Sequence, residues 1–475
     1  MSDAQDCDVV VIGAGSTGEN VAGRVVKGGL SAVVVEADLV GGDCSYWACM
    51  PSKALLRPGH ALGAARRVAG SRKAVTGSLD VAEVLERRDR FTSGYDDAGQ
   101  VAWLEGAGIA LVRGHGRLAG ERRVEVETAA GRQVLNPAKA VVVATGSVPA
   151  LPPIDNLAAA RPWTTKEATS AKEIPNSLLV LGGGVAGCEL AQVYASLGSR
   201  VSLVEMAPRL LSRYEAVAGE LVAEAMEAAG IEVRTGATVT RAERDERTSR
   251  VTVHLGDATR LEVDELLVAA GRSPRTEDLG LSSAGLQDGA WIEVDDSMAA
   301  KGVAGNWLYA AGDVNHRVLL THQGKYQARA CGDAIVARAN GSFDSNPFSP
   351  HMATADHMAV PQVVFTDPEV ASVGLTEVQA LEAGVKVRVV DYPLGDVAGA
   401  SLRADGYRGH ARLVVDEDRH VVIGATLVGS DAGELIHAAT VAVVAEVPLD
   451  RLWHAVPSYP TMSEIWLRLL EAYGL

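Results

Sequence analysis

Cys44 and Cys49 stand five residues apart in the run Gly41-Gly42-Asp43-Cys44-Ser45-Tyr46-Trp47-Ala48-Cys49-Met50-Pro51-Ser52-Lys53. Five cysteines in 475 residues are too few for a disulfide scaffold, and in a reducing cytosol a close pair reads as catalytic or metal-binding rather than structural. A zinc half-site fits less well, because Cys7, Cys188 and Cys331 supply no matching pair and read as small buried residues. Pro51 favours the first turn of a helix opening near Cys49. A helix N-terminus together with Lys53 favours a thiolate at Cys49, the form that acts as nucleophile or electron donor. The pair is therefore read as redox-active.

The pair follows a glycine turn that occurs twice. The first copy reads as a strand (Val9 to Ile12), a turn with Gly13, Gly15 and Gly18, an amphipathic helix, and a strand from Ala32 to Val35 ending in Glu36. In the second copy, a strand from Leu178 to Leu181 meets Gly182, Gly184 and Gly187, and a strand from Arg200 to Val204 ends in Glu205. First glycine to acid spans 23 residues in both. The first glycine permits the tight turn, the second lets the backbone approach a pyrophosphate, and the third lets helix and strand pack closely. The helix N-terminus then faces phosphate and the acid accepts from a ribose. One such turn is equally well a structural connection; two in the same register predict two dinucleotide sites.

The bulk numbers agree with several globular domains. A chain of 475 residues exceeds a single core, and 47% hydrophobic with 22% charged residues is ordinary for a packed protein. A net charge of -16 disfavours nucleic acid. The leading residues, Met1 to Asp8, lack a basic leader and no apolar run reaches membrane-spanning length, so the expectation is a soluble, cytoplasmic protein with no membrane partner. Pro149, Pro152 and Pro153 mark one linker and residues 340–350 another. Strands at Gln362 to Phe365, Ala411 to Val415 and Val421 to Leu427, separated by helical patterns, predict a third, mixed α/β domain.

In combination these motifs resemble the pyridine nucleotide-disulfide oxidoreductases, the family of dihydrolipoamide dehydrogenase, glutathione reductase and mercuric reductase. The resemblance extends over nearly the whole chain through Ala144-Thr145-Gly146-Ser147, Gly271-Arg272-Ser273-Pro274, Ala311-Gly312-Asp313 and the stretch from Phe365-Thr366-Asp367-Pro368 to Thr376-Glu377. It implies an α/β architecture of two Rossmann-like dinucleotide-binding domains, the FAD domain (1–150 and 272–345) interrupted by the NAD(P) domain (151–271), followed by a mixed α/β dimerisation domain (346–475). It implies FAD held by Gly13, Gly15, Ser16, Thr17, Gly18, Glu36, Gly42, Asp43, Lys53, Gly116, Thr145, Gly146, Ser147, Asp313, Leu319, Leu320, Thr321 and His322. The nicotinamide cofactor would be held by Gly182, Gly184, Val185, Gly187, Glu189, Glu205, Val239 and Gly271. Hydride would pass to the flavin and electrons onward to a Cys44–Cys49 disulfide, with Cys49 the flavin-facing thiolate and Cys44 the thiol that attacks substrate. Lys53 and Glu189 would form an ion pair near the flavin, the plainer alternative being a solvated lysine and a helix-surface acid. Glu205 predicts NAD(H) over NADP(H), because an acid accepts from a free 2′-hydroxyl and repels a 2′-phosphate; Arg209 lies close enough in sequence to soften this.

The chain departs from that family near its end. Disulfide reductases there carry a histidine and, five residues later, a glutamate donated across a homodimer; this chain has Tyr459 and Glu464. Tyrosine titrates near 10 and is a poor proton shuttle at neutral pH, so ordinary dithiol–disulfide exchange is in doubt. His454 is an alternative, although an interface histidine is the commoner reading. A mercuric reductase needs a C-terminal vicinal cysteine pair, which Leu470-Glu471-Ala472-Tyr473-Gly474-Leu475 does not provide. Soluble transhydrogenases resemble the Tyr-Pro-Thr-Met segment and the Trp47 context but lack the second cysteine. The expectation is a flavoenzyme passing electrons from NADH to a disulfide, quinone or metal-ion acceptor, with transhydrogenase, NADH:quinone or diaphorase, and metal reductase activities as alternatives. A flavin-bearing subunit of a larger complex has no docking segment to support it.

Overall fold

The computed structural model describes residues 5–475; residues 1–4, on which part of the reading of the leading segment rests, lie outside the described residues. Two compact units form, each from three separated stretches: residues 1–51, 89–150 and 272–356 in the first, and residues 52–88, 151–271 and 357–475 in the second. The chain leaves the first unit after residue 150 and returns at 272. Its last stretch there runs to residue 356, and residues 52–88 belong with the second unit, neither of which the linker signals disclosed.

The first unit is built on strand Gln5–Ile12, whose residues Val9, Val10 and Val11 are wholly buried. It pairs in parallel with Ala32–Glu36 on one side and Gly131–Val143 on the other. Ala110–Arg113 extends the sheet beyond Ala32–Glu36, and Leu308–Ala310 adds a further parallel partner to Gly131–Val143. Near-continuous Val runs are what a parallel sheet covered on both faces requires. Helix Ser16–Lys27 covers it with Val21, Ala22 and Val25. Against that helix lies Thr321–Asn340, and glycine makes the approach possible: a methyl group at Gly324 would stand 2.4 Å from Thr17 Oγ1, and one at Gly332 2.6 Å from Arg24 Cβ. Farther along, the Arg24 guanidinium closes on Asp333 as a two-pronged ion pair.

The second unit repeats the parallel pattern in the order Glu232–Arg234, Arg200–Val204, Ser177–Leu181, Glu265–Val268. Leu178, Leu179, Val180 and Leu203 are fully buried, each stabilising the fold by roughly 1.5–3 kcal/mol relative to exposure. An antiparallel three-stranded sheet spans Val239–Arg244, Val251–Leu255 and Arg260–Val263. A five-stranded antiparallel sheet, with edges at Gln362–Val364 and Val387–Pro393, carries the C-terminal part. The early stretch is tied in by Arg88, wholly buried, which donates to Thr169 O (2.6 Å) and Ala171 O (3.0 Å); a buried guanidinium needs such acceptors. Among the described residues no helix is long and apolar enough to cross a membrane.

Candidate functional site

In the first unit the glycine turn has the strain and closeness that only glycine tolerates. Gly13 sits at φ +104°, and a methyl group at Gly18 would lie 1.9 Å from Gly13 O. The amide of Ala14 donates to Glu36 Oε2 (2.6 Å) and that of Asp38 to Glu36 Oε1 (2.8 Å), fixing the acid at the strand end. A cavity of about 430 Å³ opens over this turn. Gly13, Gly15, Ser16, Thr17, Glu36, Gly42, Asp43, Gly116, Thr145, Gly146, Ser147, Asp313, Leu320 and Thr321 line it. Gly18, Lys53, Leu319 and His322 are not among the lining residues. Gly18 is taken up by the contact between helix and strand, and His322 is exposed.

The sequence reading missed Arg272 as a site residue. It follows Gly271 in a motif already singled out, but its importance comes from three partners that only the fold assembles. Its guanidinium donates to Ser147 Oγ, to Ser147 O (2.8 Å) and to Asp43 Oδ2 (3.0 Å), with Asp313 3.6 Å away. Ser147 Oγ in turn donates to Asp313 Oδ2 (2.6 Å). Burial pushes the Asp313 carboxyl up, against the pull of Ser147 and Arg272. Thr145 Oγ1, also lining the cavity, is buried with no hydrogen-bond partner among the described residues. A polar atom left so is normally met by a bound molecule or water. A helix N-terminus behind a glycine turn, a strand-end acid and an orphaned hydroxyl around one cavity fit an FAD.

The cysteines lie at this cavity. Gly41, at φ +113°, turns the chain into the short helix Gly42–Tyr46, and Cys49 begins helix Cys49–Arg66 with Pro51 in its first turn. Both cysteines are half-buried and Cys44 lines the cavity. Cys49 Sγ is 3.1 Å from Thr321 Oγ1, the first residue of the helix packed on Ser16–Lys27. The bond to Cys49, then burial and the charge of Cys49, push the Cys44 thiol far up. The Cys44 thiol is thus held protonated, while Cys49 stands at a helix N-terminus, where the backbone amides favour negative charge.

The second unit holds the other turn in matching geometry. Gly182 sits at φ +111°, and a methyl group at Gly187 would lie 1.8 Å from Gly182 O. Glu205 accepts from the amides of Gly183 (2.5 Å) and Ala207 (2.6 Å). Gly184 caps helix Val185–Ser196, with open space where a side chain would be. Gly271 lies exposed at the unit's end, at φ +143°. Val239 is buried in a core with Leu179, Leu181 and Leu266, so its side chain is spent on packing. Arg209 donates to the carbonyls of Leu211 (3.1 Å), Ser212 (2.8 Å) and Tyr214 (2.9 Å). Those bonds corset the loop after Glu205 and leave that guanidinium committed to backbone rather than poised for a 2′-phosphate. The tight glycine turn, the helix N-terminus behind Gly184 and the strand-end acid Glu205 fit a nicotinamide dinucleotide here.

Lys53 and Glu189 meet within this unit at 2.6 Å. Glu189 is 3% exposed and is satisfied on its other oxygen by the Phe365 amide (2.9 Å), while Lys53 Nζ also lies 4.9 Å from the centre of the Phe365 ring. Near the end of the chain, Tyr459 is 77% exposed. Glu464 is 5% exposed; its Oε1 accepts from Arg468 (2.7 Å), and its Oε2 is buried without a partner among the described residues. His454 is exposed.

Residues 7–329 match the family model for pyridine nucleotide-disulphide oxidoreductases and residues 360–469 the dimerisation domain of that family. The chain is 34% identical to a dihydrolipoyl dehydrogenase of Thermus scotoductus over 98% of its length and 97% of the relative's. It is 32% identical to a mercuric reductase of Staphylococcus aureus over 97% of its length and 81% of the relative's. Among solved structures, the HOCl-induced flavoprotein disulfide reductase RclA of Escherichia coli superposes with a TM-score of 0.84 at 26% identity, covering 98% of this chain and 99% of that one. The chain belongs to the pyridine nucleotide-disulphide oxidoreductases, enzymes that work with FAD and NAD(P)H.

Proposed function

We propose that the protein is an NADH-preferring homodimeric oxidoreductase that moves electrons through the Cys44–Cys49 pair to an acceptor other than a simple disulfide, with a thiophilic metal ion such as Cu(II) first and a quinone second. The observation that carries it is a cysteine pair whose Cys44 thiol is pushed up, taken together with a C-terminal segment in which Tyr459 stands in place of the proton-shuttling histidine and Glu464 is bound by Arg468. Bound FAD would supply two-electron transfer between the nicotinamide and the cysteine pair. Cys49 would hold the thiolate at the helix N-terminus, and Cys44, at the cavity, would meet the acceptor. With Cu(II), the Cys44 thiol and Cys49 thiolate would form the S–S bond, release one proton and deliver one electron to each of two ions. No acid is then needed for a leaving thiol. RclA, solved as a Cu(II) complex, and the mercuric reductases support a metal-ion acceptor by likeness.

Glu205, with Arg209 bound to backbone carbonyls, supports NADH over NADPH. The matched dimerisation domain supports a homodimer. Anaerobic titration with NADH, comparing wild type with Cys49→Ser, tests the relay. A long-wavelength band after one two-electron equivalent in wild type alone is expected; simple bleaching in both proteins would sink the relay and favour a diaphorase or transhydrogenase. Adding Cu(II), a quinone or lipoamide to the reduced enzyme then ranks the acceptors. A lipoamide rate above the other two would overturn the choice of acceptor.

A further inference from the structure

One turn of helix Thr321–Asn340 faces both the cysteine pair and an acid with no assigned task. Thr321 Oγ1 reaches Cys49 Sγ at 3.1 Å. Gly324 lies so close to Thr17 that no side chain fits between them. Lys325, next in sequence, acts electrostatically on both Cys44 and Glu19. Glu19 stands in the first turn of helix Ser16–Lys27, its Oε1 buried with no hydrogen-bond partner among the described residues. A lone carboxyl oxygen in that position is costly unless the group serves a purpose or is protonated.

We propose that Glu19 and Lys325 are positioning residues that set the protonation of the Cys44–Cys49 pair, Lys325 as the cation that favours its thiolate and Glu19 as the acid that cancels this cation once ionised. The proposal rests on the reading of Cys44 and Cys49 as the redox pair, and it supplies in the same unit a pH-responsive charge that the missing histidine does not. Burial first, and then the charge of Glu36, lift the Glu19 carboxyl to about 7, while Lys325 pulls it down. Tyr46, two residues after Cys44, feels Glu19 as well as Asp96, Asp97 and Arg113, but its hydroxyl is bonded to Val40 O (3.0 Å) and its titration lies far above neutral, at about 12. Glu19, coupled to Lys325, thus changes charge near neutral pH, and His322, one turn before Lys325 on the same helix, is exposed. Below neutral pH Glu19 is uncharged and Lys325 acts on the pair unopposed; above, the two charges offset one another. Linkage makes the effect reciprocal, so formation of the thiolate raises the Glu19 carboxyl in turn.

The test uses chemically reduced holoenzyme under anaerobic conditions, iodoacetamide as probe, and mass spectrometry of the cysteine peptide across pH 6 to 9. Glu19→Gln, close in shape to the neutral acid, should speed alkylation about threefold at pH 7.5 and turn a shallow wild-type pH profile into a one-proton curve. Lys325→Met should slow alkylation. On the Lys325→Met background Glu19→Gln should change the rate far less, because without the cation Glu19 keeps its proton to higher pH. Identical profiles in all four proteins, with FAD content unchanged, would overturn the proposal. Because the cysteines are reduced chemically, this result is independent of the NADH titration: failure of NADH to reduce the pair counts against the relay, whereas identical alkylation profiles count against Glu19 and Lys325 alone.

Discussion

Glu36 and Glu205 close two copies of one loop in the same way. Each takes an amide from its glycine turn, Ala14 at 2.6 Å and Gly183 at 2.5 Å, and a second from two residues onward, Asp38 at 2.8 Å and Ala207 at 2.6 Å. Hydrogen bonds to a charged acceptor contribute about 1.5–3 kcal/mol each, so both acids are fixed before any ribose arrives. Glu205→Ala should therefore raise KM for NADH about tenfold or more, a loss of ~1.4 kcal/mol or greater, with a smaller penalty for NADPH. Steady-state kinetics with both cofactors measure this. An unchanged NADH to NADPH ratio would remove Glu205 from cofactor choice.

The third glycines separate the two sites. A methyl group 1.9 Å from Gly13 O at position 18, or 1.8 Å from Gly182 O at position 187, forces helix and strand apart. Gly18→Ala should yield protein with little bound flavin. Gly187→Ala should keep its flavin absorbance but reduce slowly with NADH. Equal flavin loss in both would show that the two turns are not functionally distinct.

Both turns were legible because their chemistry is local: three glycines, an apolar strand on either side and an acid 23 residues on leave few alternatives. Strand Arg200–Val204 even has the expected bounds, while Gln5–Ile12 starts earlier than its apolar stretch, since Gln5, Asp6 and Cys7 pair with Leu135, Asn136 and Pro137. What lay hidden depends on distant partners. Arg272 gains its place from Asp43, Ser147 and Asp313. Residues 52–88 join the second unit through contacts such as Arg88 to Thr169, which no local pattern records. Glu19 reads as an ordinary helix acid until the fold leaves its Oε1 buried with no hydrogen-bond partner among the described residues.

Lys53 and Glu189 make a stability argument as well as a functional one. Glu189 is 3% exposed and is satisfied by Lys53 Nζ and the Phe365 amide. Lys53→Met leaves a buried carboxylate with one donor, a change worth about 2–3 kcal/mol for a partly exposed pair. The urea midpoint should fall accordingly at pH 7. Lys53→Met with Glu189→Gln should recover part of that loss, since the uncompensated charge is gone. A double variant less stable than Lys53→Met would contradict this account.

Glu19 predicts an unusual pH dependence of stability. Its carboxyl titrates near 7 in the folded protein, against the usual 4.5, burial being the larger cause. A group raised on folding binds more protons in the native state, so its contribution is complete below pH 4.5 and is lost as pH climbs through 7. At ~1.4 kcal/mol for each pH unit between those values, the ceiling is about 3 kcal/mol. Glu19→Gln cannot ionise and should be more stable than wild type above pH 7, with the gap closing as pH falls toward 4.5. Lys325→Met should extend the wild-type loss to higher pH, because Lys325 opposes the rise. Urea unfolding of the flavin-free protein at pH 5, 7 and 8.5 separates this from any effect of FAD; a gap that is equal at all three pH values would mean that Glu19 does not titrate in this range.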